Sequence, residues 1–126
     1  MKKNAFKELL NKAENGDEEA MEKVIEAYQG WSDDFDVEEN PAKEVYWKER
    51  LAHSGDVQIM FEVAQHYVEG YGGTRDLNKS THWLKKVIEA GHDEAQNLLD
   101  ELMAAIEYEK KLLQETHKGR QNLRAF

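Results

Sequence analysis

Two stretches of the sequence repeat each other at an offset of 36 residues. The first reads NPAKEVYWKERLAHSG and covers 40–55; the second reads DLNKSTHWLKKVIEAG and covers 76–91. A cap-forming residue, a lysine, a tryptophan and a glycine recur in the pairs Asn40 and Asp76, Lys43 and Lys79, Trp47 and Trp83, and Gly55 and Gly91. Self-similarity at a period of about 20–50 residues is the signature of stacked repeat architectures. The chain is therefore predicted to be a short repeat protein.

Apolar residues follow helical spacing throughout the repeats. In 56–69, Ile59, Val63 and Tyr67 are four residues apart, and 77–90 carries a similar stripe. This period is typical of an amphipathic helix, and no segment alternates clearly as a strand would. The sequence predicts an all-α fold, a short α/α superhelical solenoid of antiparallel helix pairs with a long C-terminal capping helix.

The predicted units form a single domain over 1–118, followed by a flexible tail. They are a capping helix at 4–14, a divergent repeat at 17–55, the best repeat at 56–91, a long terminal helix at 92–117 and the tail at 119–126. The long helix is expected to cover the open end of the stack, because a solenoid needs polar or covered termini.

Each repeated residue has a physical role in such a unit. Asn40 and Asp76 suit the N-cap position, and Pro41 suits the first helical position, where its missing N–H costs nothing. Trp47 and Trp83 are large enough to pack one helix pair against the next. Glycines suit the turns, where a positive φ is needed. The residues with predicted structural roles in the repeat are Gly16, Gly30, Asn40, Trp47, Gly55, Gly70, Gly72, Asp76, Trp83 and Gly91.

This pattern resembles the Sel1-like repeat family, a relative of the tetratricopeptide repeats, over roughly 13–100. The family's pattern falls on Tyr67, Gly70, Gly72, Asp76, Lys79, Trp83, Gly91 and His92. Ser80 stands where the family usually has alanine, and Gly73 where it usually has valine. The unit at 16–55 has a longer loop that lacks the G-x-G. The resemblance implies an α/α solenoid and, since such proteins commonly act as adaptors, binding to another protein.

A competing interpretation of the second repeat is a phosphate-binding loop. From Gly73 the sequence reads GTRDLNKS, which places Lys79 and Ser80 correctly for G-x-x-x-x-G-K-[ST] but puts Asn78 at the second glycine. A phosphate loop also follows a strand, whereas the preceding segment has helical spacing. We favour a turn followed by a capped helix, and we predict no cofactor.

Catalytic and metal sites are not predicted either. The chain has no cysteine, and its five histidines do not form the HExxH pattern of a zinc site. Carboxylates are abundant, but nothing in the sequence places a pair of them in a cleft that would shift a pKa. We therefore predict that the protein is not an enzyme and binds no small-molecule substrate.

Charge is distributed unevenly along the chain. The net charge is −9, with residues 1–107 contributing −12 and residues 108–126 contributing +3. The acidic body should repel nucleic acid and would suit a basic protein partner. The N-terminus lacks the apolar run of a secretory signal, and no stretch is long and apolar enough for a membrane span, so we expect a cytoplasmic protein without membrane contact.

The longer loop of the first repeat is the main candidate for partner binding. Nine residues separate Gly30 from Asn40, against five between Gly70 and Asp76. We call residues 31–39 the acidic loop; its candidate binding residues are Trp31, Asp33, Asp34, Phe35, Asp36, Glu38 and Glu39. Aromatic residues within a charged rim are typical of interface hot spots. The alternative is that both aromatics fold back onto the helices and the acids are only solvated.

A concave face formed by the first helix of each pair should extend this surface. Its predicted contributors are Tyr28, Met60, Gln65 and His66. The predicted function is a non-catalytic protein–protein interaction module, a small Sel1-like adaptor or scaffold. The alternative is a bacterial immunity protein that neutralises a basic toxin, such as a nuclease, by masking it with an acidic surface.

Overall fold

The computed structural model describes residues 2–73 and 75–124, which form six helices. The helices are α1 (Lys2–Glu14), α2 (Glu18–Tyr28), α3 (Pro41–Ala52), α4 (Val57–Glu69), α5 (Leu77–Glu89) and α6 (Ala95–Arg124). Each helix packs against the next one along the chain, from α1 on α2 to α5 on α6. Packing between successive helices joined by mostly short connections is the architecture of an α/α solenoid. The predicted all-α fold class is confirmed.

Side-chain caps start the helices of both repeats. Asn40 accepts the backbone N–H of Lys43 at 3.1 Å, and Asp76 accepts that of Lys79 at 3.0 Å. Asp56 caps α4 in the same way, through the backbone N–H of Ile59 at 3.1 Å. Such a cap stabilises a helix by about 1 kcal/mol because it satisfies one of the N–H groups left free in the first turn.

Gly72 fixes the distance between the two repeats. Its φ is +79°, and a Cβ built on it would lie 2.6 Å from the carbonyl oxygen of Pro41. Any side chain at this position would collide with the backbone at the start of α3. The turn between α4 and α5 is therefore held directly against the first repeat.

The core consists of two apolar clusters, each containing one of the repeated tryptophans. Trp47 lies in a cluster formed by α1, α2 and α3, and Trp83 lies in one formed mainly by α4, α5 and α6. Ile59 of α4 is partly buried against both clusters. Ile59 thus links the apolar cluster of the first repeat to that of the second.

The last helix differs from its predicted bounds at both ends. It begins at Ala95 rather than 92 and remains helical to Arg124, through much of the segment predicted as a tail. Residues 108–124, which lead into and through this segment, are rich in Glu, Lys, Leu, Gln and Arg, which have high helix propensity, and contain no proline. The end of the predicted tail, residues 125–126, lies outside the described residues.

Candidate interaction site

A groove of about 450 Å³ lies between α3 and the turn that joins α4 to α5. We call it the tyrosine groove, because Tyr46, Tyr67 and Tyr71 line it. Two carboxylate residues, Glu49 and Asp76, also face it. The sequence that nearly matches a phosphate loop, 73–80, contributes Gly73, Asp76 and Lys79 to the lining of this groove. Helix α4 precedes it, where a phosphate loop would have a strand.

The lysine that recurs between repeats lies over a tyrosine ring in both units. The ammonium nitrogen of Lys43 is 5.6 Å from the ring centroid of Tyr28, and that of Lys79 is 5.2 Å from the ring centroid of Tyr67. Each tyrosine belongs to the last turns of the preceding helix. A cation–π contact of this kind contributes about 0.5–1 kcal/mol at an exposed site. The sequence shows that the lysine recurs but does not reveal this role.

A buried carboxylate lies beneath one wall of the groove. Glu44 is 3% exposed and accepts hydrogen bonds from Lys48 Nζ at 2.8 Å, from Tyr71 Oη at 2.6 Å and from Gln29 Nε2 at 3.2 Å. Burial raises its pKa, but these hydrogen bonds and the charge of Lys48 outweigh burial and hold the pKa below its ordinary value. Glu44 is therefore an ionised group inside the protein.

The same repeat position holds a very different residue in the second unit. Ser80 corresponds to Glu44, since each follows the repeated lysine. Ser80 is fully buried and donates its hydroxyl to the carbonyl oxygen of Ala64 at 2.8 Å. The repeat pattern does not predict this buried charge, although a glutamate at a small-residue position with Lys48 four residues later is a signal that could indicate it.

His66 lies next to this buried pair. Its Nε2 is 3.0 Å from Lys48 Nζ, and its ring stacks on that of Tyr71 at a centroid distance of 4.6 Å. A lysine ammonium can only donate, so Nε2 must accept and Nδ1 must carry the proton. Among the described residues, that buried Nδ1 has no hydrogen-bond partner. The ring is therefore held as the neutral tautomer, with one donor unpaired.

The pKa of His66 is lowered by its surroundings. Burial is the main cause, and the positive charge of Lys48 lowers the pKa further. The carboxylates of Glu44, Glu62 and Glu69 offset part of this shift. In the unfolded chain the ring should have its ordinary pKa of about 6.5. Below that pH the unfolded chain takes up the proton first, and the folded state loses stability.

We expect the free energy of unfolding to fall as the pH is lowered from about 7 to 5, and the substitution His66→Gln to flatten this dependence. Glu44 contributes in the same direction only at lower pH, because its stabilising effect is lost below the ordinary carboxyl pKa. Urea denaturation followed by circular dichroism across this range tests the expectation. The exposed His82→Gln provides the matched control. A slope that His66→Gln leaves unchanged would contradict it.

The two aromatic residues of the acidic loop have different environments. Trp31 is 77% exposed. Phe35 is partly buried, and its ring lies 5.4 Å from that of Phe6 in α1. The five acidic residues of the loop are exposed. The two interpretations of the loop therefore each describe one aromatic: Phe35 folds back onto a helix and Trp31 faces outward.

The four residues predicted for the concave face do not form one exposed surface, which corrects that prediction. Tyr28 is 6% exposed and packs edge-to-face against Phe6 at 5.6 Å. Met60 is partly buried against the second apolar cluster, and Gln65 is exposed. His66 is largely covered by Tyr71 and the buried ion pair. The helical spacing predicts which helix each of the four residues belongs to. Whether its side chain is buried depends on neighbours that are distant in sequence.

In the part of the chain that the structure describes, no helix is long and apolar enough to cross a bilayer. Within residues 2–73 and 75–124, no group of three or more histidine, aspartate or glutamate side chains is placed to hold a metal ion.

Comparison with known proteins gives matches among solved structures. No family model and no curated protein matches the sequence. The crystal structure of a Sel1 repeat protein from Oxalobacter formigenes matches with a TM-score of 0.57 and 24% identity, over 75% of this chain and 26% of that one. A protective antigen present in uropathogenic Escherichia coli strains, described as displaying an SLR fold, matches with a TM-score of 0.59 and 27% identity, over 75% of this chain and 20% of that one.

The chain thus spans about a quarter of the length of the first protein and a fifth of the second. Both structures superpose on three quarters of this chain with TM-scores above 0.5. The chain therefore has the fold of the Sel1-like repeat proteins, an all-α helical solenoid, and these structures support the family resemblance found in its repeats.

Proposed function

We propose that this chain is a non-catalytic protein-interaction module, a small adaptor that binds a basic protein through its acidic loop. The observation that carries the proposal is the exposure of Trp31 beside five carboxylate residues. Tryptophan is among the residues most enriched at interface hot spots. Burying an exposed large apolar side chain contributes roughly 2 kcal/mol, so a partner that covers Trp31 gains affinity.

The acidic loop holds Trp31 on an ordered support. The backbone N–H of Asn40 donates to the carbonyl oxygen of Tyr28 at 2.9 Å, which ties the end of the loop to α2. Phe35 packs on α1, and Val37 is partly buried against the first apolar cluster. An ordered loop loses less conformational entropy on binding than a free one. The surrounding carboxylates would accelerate encounter with a basic partner and favour it over an acidic one.

The immunity-protein alternative uses the same surface. The net charge of −12 over residues 1–107 favours this alternative, because masking the basic active site of a toxin needs an acidic surface. An adaptor should bind several partners with moderate affinity, whereas an immunity protein should form one tight complex. In either role the cytoplasm remains the location that the sequence predicts, and nucleic acid remains an unfavourable partner.

We expect Trp31→Ala to weaken binding of the natural partner by about 10–30-fold, as for a hot-spot residue worth about 1.4–2 kcal/mol. Asp34→Lys with Asp36→Lys should weaken it at least as much. The partner is first captured from a native lysate and identified by mass spectrometry, and calorimetric titration then measures the dissociation constant of each variant.

The matched control for the charge reversal is Glu107→Lys with Glu115→Lys, which makes the same charge change on exposed positions of α6. If this control weakens the complex equally, net charge rather than the acidic loop determines binding. If Trp31→Ala and the loop reversal both leave the dissociation constant unchanged, the proposed surface is wrong.

A further inference from the structure

We propose that the tyrosine groove binds a cationic side chain, an arginine of the basic partner, by cation–π contact and ion pairing. The inference rests on the proposed interaction function and names the chemistry that a partner would present beside the acidic loop. It is carried by the ring arrangement, the carboxylates and the position of the groove.

The groove already binds cations that belong to this chain. Lys79 lies over the ring of Tyr67 at 5.2 Å, and the guanidinium carbon of Arg50 lies 6.0 Å from the ring centroid of Tyr46. Tyrosine faces attract ammonium and guanidinium groups within about 6 Å through the ring quadrupole. The walls are thus built from the side chains that recognise such groups.

Tyr71 offers a further ring to an incoming cation. It is 40% exposed, and its ring stacks on His66. Its hydroxyl donates to Glu44, and this hydrogen bond, burial and the charges of Glu44 and Glu39 raise its pKa to about 12. The ring is therefore neutral and fixed in place. Within the described part of the chain, no lysine or arginine lies over it.

Carboxylates in the groove can pair with the charge of the guest. Glu49 accepts a hydrogen bond from the Tyr67 hydroxyl, which leaves most of its acceptor positions available. Arg50, in contrast, is already engaged by Glu14, with one contact of 2.7 Å to its carboxylate and one of 3.1 Å to its carbonyl oxygen. The planar fork of an arginine fits a carboxylate better than an ammonium group does.

The groove adjoins the proposed partner surface. Glu39 is the last residue of the acidic loop and stands two residues before Pro41, whose backbone lies directly against Gly72 in the lining of the groove. The volume of about 450 Å³ lies within the range of about 300–1,000 Å³ that is typical of ligand sites. A chain segment seated on the acidic loop could therefore extend one side chain into the groove.

The test uses the whole protein and a short arginine–glycine peptide as the probe, with the same peptide carrying citrulline in place of arginine as the uncharged control. In calorimetric titration we expect the arginine peptide to bind and the citrulline peptide not to bind. Tyr71→Leu should weaken binding about two- to fivefold, and Glu49→Gln by at least about tenfold. Lys79→Met should strengthen binding about two- to fivefold, because it vacates the ring of Tyr67.

Tyr108→Leu is the matched control, since Tyr108 is an exposed tyrosine of α6 outside the groove. Thermal melts followed by circular dichroism establish that each variant is folded. Equal binding of the citrulline peptide would overturn the inference whatever the loop variants do. So would an affinity for the arginine peptide that Tyr71→Leu and Glu49→Gln both leave unchanged. A natural partner that ignores the loop variants would overturn the proposed surface while the peptide result still stands.

Discussion

Replacing Trp83 with alanine should lower the free energy of unfolding by about 3–5 kcal/mol. The side chain is 2% exposed and lies in the apolar cluster formed mainly by α4, α5 and α6. The centroid of its ring is also 4.9 Å from that of His53, which lies just beyond the end of α3. Removing the ring leaves a cavity between the second repeat and its neighbours that these helices can fill only in part. Urea denaturation monitored by circular dichroism measures the loss.

The chain provides its own control for this substitution. Trp31→Ala removes the same side chain from an exposed position, and surface substitutions usually change stability by less than about 0.5 kcal/mol. Trp47→Ala should match Trp83→Ala, since Trp47 is equally buried in the other cluster. Similar losses for Trp31→Ala and Trp83→Ala would show that the repeated tryptophans do not hold the stack together.

Replacing Glu44 with alanine should destabilise the protein by about 3 kcal/mol. The substitution leaves Lys48 buried without its closest partner and removes the acceptor of the hydrogen bonds from Tyr71 and Gln29. Lys48 keeps a carboxylate of Glu62 at 3.5 Å, which places the loss at the lower end of the range for a broken buried pair. Thermal and urea denaturation at neutral pH measure this loss.

The double substitution Glu44→Ala with Lys48→Met tests whether the charge itself is the cause. Replacing both members of a buried pair by apolar residues is often neutral or stabilising, so most of the lost stability should return. Alanine is also close in size to the serine that the second repeat has at this position. A double variant as unstable as Glu44→Ala would show instead that the hydrogen bonds to Tyr71 and Gln29 dominate.

The fold could be predicted from the sequence because its signals are local and occur twice. Asn40 and Asp76 mark the first turns of α3 and α5, and the observed bounds of α4 and α5 lie within one residue of the segments 56–69 and 77–90 that show helical spacing. The end of α6 was harder to predict from the sequence, because no proline or glycine turn marks it. Residues of high helix propensity are frequent in 108–124, where the helix continues to Arg124.

The candidate site was harder to predict, because its contacts join residues far apart in sequence. Glu44 and Tyr71 are 27 residues apart, and a comparison of the two repeats hides their hydrogen bond, since Ser80 replaces the glutamate. Trp31 and Phe35 are both aromatic residues of the acidic loop, so the sequence alone does not tell which of them is buried. Their burial differs because Phe6, which belongs to α1 and lies outside both repeats, covers only Phe35.

The packing of each helix on the next also determines how the chain can fold. Contacts between neighbours close short loops, so little chain entropy is lost before each new helix begins to be stabilised. Proteins with such a low contact order fold in microseconds to milliseconds, and in them helices can be added one after another from any stable pair.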